Sequence, residues 1–395
     1  MAKRQYQIRE FEQSETEALL RLRNLIFGDI SRDHWNAMGC TAVVAEHSGR
    51  FYGAIPLQFR EFRITPRVSI PVVFENAVGV REKFRGQGIG SAMLECAAGF
   101  IRDRADALCV YRGGERSKGY RFYRKTHHGD LFYTCNLGLK TDRLPQAFSK
   151  AARSVEVYPW SRAAEFAGKL LRLFRTAYGS HGGYWKREKS YYGRVLQSHV
   201  HGNDSCRLLL VKKQDQIAGY AIVNPQDGHG YFIYDIAAQN LEIFRKLIAK
   251  IAILASEIKR DVAVISNREH PYCGYFLGCG FEAPGSEPYI MARVLRPDRI
   301  FGRLAKGSSL LGELALKAAT PHRDLVLNDP AGARHSACLY LKESLLSRLL
   351  FCQLDLRSAL DMNLVRMDAV TPGIERKLCR IFRCAPWASF RMDYV

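Results

Sequence analysis

The sequence predicts an α/β (α+β) chain: two mixed-sheet domains in tandem, followed by a smaller α+β domain. Three observations carry this. At 395 residues the chain is too long for one ordinary core. An order of strands and helices found in residues 1–145 recurs in 146–292, without a close sequence repeat. Residues 293–395 change character, with two strand patterns ahead of three helical ones.

In the first region, residues 6–11 read as a short strand, and Ser14 with Glu17 has capping-box spacing. Leu19, Leu22, Leu25 and Ile26 then mark one helix face. Residues 41–45 and 51–62 pair as strands about the turn at Ser48 and Gly49. A strand over 72–80 leads into a helix from Gly88, with Ile89, Met93, Ala97, Phe100 and Ile101 on one side. Strands at 108–111 and 131–137 complete the set, and Pro145 marks a boundary. The second region offers a helix over 163–178, strands at 207–212, 216–223 and 231–236, a long helix over 241–258 and a strand at 262–266. In the third, strands fall at 324–327 and 337–341, and helices at 344–351, 356–361 and 373–382.

Bulk properties narrow the setting. With 47% hydrophobic and 25% charged residues, wholesale disorder is excluded. No apolar run follows Lys3 and Arg4, and the most apolar helical stretch, interrupted by Lys250, is too short to span a bilayer. A cytoplasmic protein with no membrane span is the expectation. The 11 cysteines form no CxxC pair, and neither His127-His128 nor His199 with His201 has Cys, Asp or Glu at ligand spacing, so no metal is expected. The formal charge of +20 calls for a polyanionic partner: nucleic acid, a membrane surface or a cofactor. Many cations (Arg81, Lys83, Arg85, Arg112, Arg116, Lys118, Arg121, Arg124, Lys125) gather around one segment.

That segment is the one with chemistry in it. After the strand through Glu75, Val78, Gly79 and Val80 comes Arg85-Gly86-Gln87-Gly88-Ile89-Gly90-Ser91 at the mouth of a helix. Three glycines let the backbone approach a ligand, and free N–H groups at a helix N-terminus attract a diphosphate. A Walker loop is excluded because no Gly-Lys-Ser/Thr follows, and a dinucleotide fingerprint is disfavoured by its position.

Arg85-Gly86-Gln87-Gly88-Ile89-Gly90 between strand and helix resembles motif A of the GNAT superfamily of N-acetyltransferases. The resemblance implies acetyl-CoA as cosubstrate. The backbone of Val78, Gly79 and Val80 would pair with the pantetheine arm, an N–H there would polarise the thioester carbonyl, and the amides of Arg85 to Gly90, with Ser91, Lys118 and Gly119 beside them, would hold the diphosphate. The superfamily's later motif, aromatic-Tyr-x-x-x-Gly-Phe, is approximated by Phe122-Tyr123 with its glycine delayed to Gly129, leaving Tyr120 as a fallback. In the second region Tyr275-Phe276-Leu277-Gly278-Cys279-Gly280-Phe281 fits that motif, but no glycine turn precedes its long helix, so this copy is read as binding no cofactor. The whole layout is similar to the enhanced intracellular survival protein family: a catalytic domain (1–145), a degenerate copy (146–292) and a sterol-carrier-protein-like domain (293–395) whose tail reaches the active site. The resemblance also implies a homo-oligomer, hexameric or trimeric.

Acetyl transfer to an amine needs an acid for the departing thiolate and a base for the ammonium proton. By the resemblance Tyr123 is the acid and the terminal carboxylate of Val395 the base, with Trp387, Phe390 and Tyr394 anchoring the tail in the first domain. Glu75, on the motif A strand, is the rival base. The acceptor stays open between a small-molecule amine of aminoglycoside type and a protein lysine. The other class of reading is a non-catalytic scaffold binding CoA, lipid or nucleic acid. No RNP-like interleaving of aromatic and basic residues supports nucleic acid.

Overall fold

Alternation of apolar residues along the first strands buries one row against a helix. The computed structural model describes residues 6–27, 31–76, 78–111, 118–142, 144–193, 205–214, 216–228, 230–283, 285–368 and 371–393. They form two compact units: 1–32, 39–133 and 288–385 in the first, and 33–38, 134–287 and 386–395 in the second. Neither unit is contiguous in sequence. Strand Gly129–Leu139 ends in the second unit, strand Glu287–Val294 lies mostly in the first, and the tail joins the second unit, separate from residues 293–385.

In the first unit the strands run in the order Gln7–Glu10, Thr41–His47, Arg50–Arg63, Ser69–Glu75, Ala107–Tyr111, Glu287–Val294. All neighbours are antiparallel except Ser69–Glu75 with Ala107–Tyr111. Helix Ile89–Ile101 drives Met93, Leu94, Ala97 and Ile101 onto Val43, Ile55, Val73 and Leu108. Full burial of each larger side chain is worth about 1.5–3 kcal/mol. The helix lies so close to the sheet that a Cβ on Gly53 would stand 2.8 Å from the Met93 methyl. The capping box is observed two residues earlier than the sequence suggested, at Glu12 and Glu15 around a short 3-10 turn.

Residues 293–385 add a four-stranded sheet to this unit, in the order Asp324–Asn328, Leu314–Ala319, His335–Tyr340, Arg366–Asp368. Leu314, Leu316 and Ala318 form its buried row. Helices Glu343–Leu350, Leu356–Asp361 and Pro372–Ile381 match the three helical patterns. Leu314–Ala319 and helix Pro297–Leu304 escaped the sequence reading.

The second unit orders Val262–Ser266, Gly230–Ala238, Gln216–Asp227, Arg207–Lys213 and Val155–Pro159, with residues 135–139 on the open side of the first. Gly230–Ala238 and Val262–Ser266 are the parallel pair. Helix Leu241–Glu257 crosses Gly219 as its counterpart crosses Gly53: a Cβ there would meet Ile243 at 2.4 Å. The shared glycine contact supports duplication where sequence identity does not.

His270 lies in this unit's core against Tyr178, Tyr272, Phe276 and Phe390. Its Nδ1 accepts the Tyr272 N–H at 3.2 Å, and burial pushes its pKa down to about 3. Because the folded ring stays neutral while the unfolded one takes up a proton below about 6.5, this stability is present above pH 6.5 and lost as pH falls towards 3. The slope is about 1.4 kcal/mol per pH unit. Urea unfolding of the second unit at pH 6.5 and pH 5 should therefore show a loss about 2 kcal/mol larger in the wild type than in His270→Gln. Equal losses in the two proteins would refute the assignment.

Candidate active site

Parallel pairing of Ser69–Glu75 with Ala107–Tyr111 runs from Val72↔Ala107 to Phe74↔Cys109. Past that point the chain pairs on its other side, Gly79 with Ala54 and Val80 with Gly53. One residue of register is lost there, and the two parallel strands part. The chain then makes a 3-10 turn, Glu82–Phe84, and two glycines take left-handed backbone, Gly86 at φ 77° and Gly88 at φ 80°. Gly88 is the N-cap of helix Ile89–Ile101 and supplies no side chain to it. The first amides of that helix therefore face outward, a charge-binding end by geometry. A Cβ on Gly86 or Gly88 would meet nothing within 4 Å, whereas one on Gly90 would press the Phe122 ring at 3.2 Å.

A cavity of about 590 Å³ opens at this turn. Of the residues the sequence nominated, Val78, Val80, Arg85, Gly86, Gly88, Ile89, Gly90, Ser91, Gly119 and Tyr123 line it. Gly79 is held in the sheet beside Ala54, and Gln87 turns its amide towards the Lys83 carbonyl at 3.4 Å; neither is part of the lining. The Arg85 guanidinium bonds back to the Val80 carbonyl at 3.0 Å, which braces the turn. Lys118 begins helix Lys118–Lys125. Phe84, Arg121, Phe122 and Lys125 also line the cavity; Arg121 and Lys125 stood among the cations gathered near this segment and Phe122 in the later motif, but none had been assigned to the site. Their signal was legible, since 121, 122 and 125 share one helix face and two are cations.

The later motif's irregularity resolves here. Thr126 and His128 both donate their N–H to the Tyr123 carbonyl, at 3.1 Å each, closing the helix. His127 takes the left-handed conformation, φ 64°, that a glycine would otherwise provide. Gly129 answers a different demand, because a Cβ there would stand 2.7 Å from the Ser344 Cα. Tyr123, 6% exposed, sits in the core cluster and lines the cavity. The Tyr120 hydroxyl instead donates to Asp130 at 3.2 Å.

Glu75 is not open to the cavity. Its side chain is wholly buried, with Oε1 3.2 Å from His128 Nε2, and burial pushes its carboxyl up while His128 opposes the shift. The other face of His128, Nδ1, lies 3.1 Å from the Thr126 carbonyl. The His128 ring meets Tyr123 edge-on with centroids 5.3 Å apart. Glu75 thus supports the turn that fixes Tyr123. Val395 lies outside the described residues, as do Tyr394, His199, His201, Arg112 and Arg116. Trp387 and Phe390, expected to anchor the tail in the first domain, pack within the second unit against Gly183 and Tyr178.

The same construction in the second unit differs at both points. Helix Leu241–Glu257 begins directly after its strand, and the Asn240 side chain accepts the Ile243 N–H at 3.0 Å, so the helix end is satisfied internally. Cys279 and Phe281 donate to the Phe276 carbonyl as Thr126 and His128 do to Tyr123, and Gly280 carries the positive φ. The equivalent of Tyr123 is therefore Phe276, which has no hydroxyl. Among the described residues, no cluster of three His, Cys, Asp or Glu could hold a metal ion, and no helix is long and apolar enough to cross a membrane.

Residues 4–128 match the model of the Acetyltransferase (GNAT) family. No curated protein matches the sequence. Among solved structures, the chain is similar to a GCN5-related N-acetyltransferase from Kribbella flavida (TM-score 0.66, 17% identity, 97% of this chain and 98% of that one). A probable N-acyltransferase from Enterococcus faecalis gives 0.70 at 13% identity over 98% and 100%. Eis1 from Mycobacterium abscessus gives 0.62 at 13% over 98% and 99%. At these identities the likeness establishes the fold over nearly the whole chain. The match over residues 4–128 makes the protein an acetyltransferase by that domain, and the solved structures add the fold.

Proposed function

We propose that the first domain transfers the acetyl group of acetyl-CoA directly to a primary amine, of a small molecule or of a protein lysine. The observation that carries this is the uncapped helix end at Gly88, opening on a cavity that Tyr123 also lines. Acetyl-CoA supplies an activated thioester and a diphosphate. The amides of residues 88–90, with Arg121 and Lys125, hold the diphosphate; the backbone at Val78 orients the thioester carbonyl. The acceptor nitrogen bonds to the carbonyl carbon as the C–S bond breaks, and the Tyr123 hydroxyl gives its proton to the departing sulfur. A thiol with pKa near 8.5 makes a tyrosine a workable donor.

For the ammonium proton the proposed acceptor is the Val395 carboxylate, supported by the family resemblance and by the burial of Glu75. Glu75 acts through His128 on the placement of Tyr123. Removing Tyr394 and Val395 is expected to cut turnover on the order of 100-fold with acetyl-CoA affinity intact, while Glu75→Gln costs on the order of tenfold. Undiminished turnover of the shortened chain, measured by thiol release, would remove the tail from the chemistry. The sheet and helices of residues 314–381 support a sterol-carrier-protein-like reading of the third part.

A further inference from the structure

The second unit contains a site that holds the chain's own tail, and its occupation by the tail does not depend on the proposed role of Val395. Its parallel strands Gly230–Ala238 and Val262–Ser266 are in register from Tyr231↔Val262 to Ile233↔Val264 and then part. In the first unit the corresponding parting is where the cofactor cavity's strand leaves the sheet. Here it is filled by residues 386–393 of the same chain.

The filling has the form of peptide recognition. The Trp387 backbone is paired at both ends: its N–H donates to Glu269 Oε2 at 3.1 Å, and its carbonyl accepts from Asn267 Nδ2 at 3.0 Å. Gly182 donates to the Pro386 carbonyl and accepts from the Ala388 N–H, at 2.8 and 2.9 Å, so the tail adds a short parallel bridge. This is main-chain capture of an extended segment. Three side chains at a spacing of three then enter separate places. Trp387 is fully buried over Gly183, whose φ of +87° and missing Cβ leave room for the indole. Phe390 packs its ring on Phe174, Tyr178 and His270 at 4.7–6.1 Å. Asp393 accepts from the Trp185 N–H at 3.1 Å, from the Tyr191 hydroxyl, and from Arg187 at 3.4 Å.

Arg187 is itself 1% exposed and keeps a second partner, Asp235, at 2.6 Å on the strand that parts. Its guanidinium also stacks on Phe174 at 3.9 Å and on Phe390 of the tail at 4.5 Å. One cation therefore joins the strand carboxylate of the site to the tail's carboxylate and aromatic ring. This cluster holds the chain two residues before the Val395 carboxylate proposed as base, and the domain that carries it has no glycine turn before its long helix and has Phe276 where the first has Tyr123.

We propose that the second domain is a peptide-binding domain whose ligand is the chain's own segment Trp387-x-x-Phe390-x-x-Asp393, received where the strands part and latched by Arg187. The site is a vestigial acceptor cleft converted from chemistry to recognition. The tail is a ligand in this account, separable from the domain core, and its release does not unfold the domain.

Hydrogen exchange on the full chain, followed by mass spectrometry without acetyl-CoA, tests this independently of the acyl chemistry. The amides of residues 387–393 should open at least about tenfold faster than those of Gly230–Ala238, because a bound ligand leaves before its receptor unfolds. In Asp393→Asn the tail amides should speed up by about tenfold more with the strand amides unchanged. A labelled peptide of residues 384–393 should then bind Asp393→Asn, bind the wild type weakly, and bind Arg187→Met poorly. Tail and strand amides exchanging in step in the wild type would make the tail an ordinary part of the core and overturn the proposal. So would equal peptide binding by Asp393→Asn and Arg187→Met.

Discussion

Tyr123→Phe is expected to lower kcat on the order of 100-fold while leaving the KM for acetyl-CoA within about twofold, since one proton donor is lost and no packing is. The ring is buried in the core cluster and stands edge-on to His128 and Phe122, contacts that phenylalanine keeps. The second unit already demonstrates the exchange, with Phe276 in the equivalent turn. Tyr120→Phe is the control: its hydroxyl is occupied by Asp130, and its loss should leave turnover nearly unchanged. The kinetics are read from free thiol released with a saturating amine. A Tyr123→Phe enzyme within a factor of about three of wild type would exclude the hydroxyl as the acid.

Gly88→Asp should weaken acetyl-CoA binding on the order of 100-fold, or about 2.7 kcal/mol, in a protein whose melting temperature falls slightly because the backbone there is left-handed. Asp tolerates the left-handed backbone at φ 80° better than most residues, and its carboxylate places a negative charge at the helix end, where it repels a diphosphate. Calorimetric titration with acetyl-CoA measures the loss, and desulfo-CoA serves as a non-reacting check. Unchanged affinity would move the diphosphate away from this turn and remove the reading of the cavity with it.

Much of the first domain's site was legible because its parts are local. Gly86 and Gly88 declare positive φ, Gly90 declares a close approach to Phe122, and the strand before them and the helix after them show their periods in a dozen residues. The later motif was only half legible. A glycine displaced to 129 obscured the turn, because His127 took the left-handed position and Gly129 answered Ser344, some two hundred residues away in sequence. Glu75 shows the same limit. Strand alternation could place it on a face, but only the folded chain sets His128 against it and closes it off from the cavity.

What the sequence by itself determined was the glycine turn, the order of the elements and the absence of such a turn in the second copy. Each is written in neighbouring residues, where backbone conformation and a few hydrogen bonds decide the outcome. What only the tertiary structure decided was which tyrosine lines the cavity, what Glu75 faces, and where the tail lies. Asp393 meets Arg187 across 206 positions of chain, and Trp387 meets Asn267 across 120. Such pairings depend on burial and on competition among distant partners, which no local pattern of residues records.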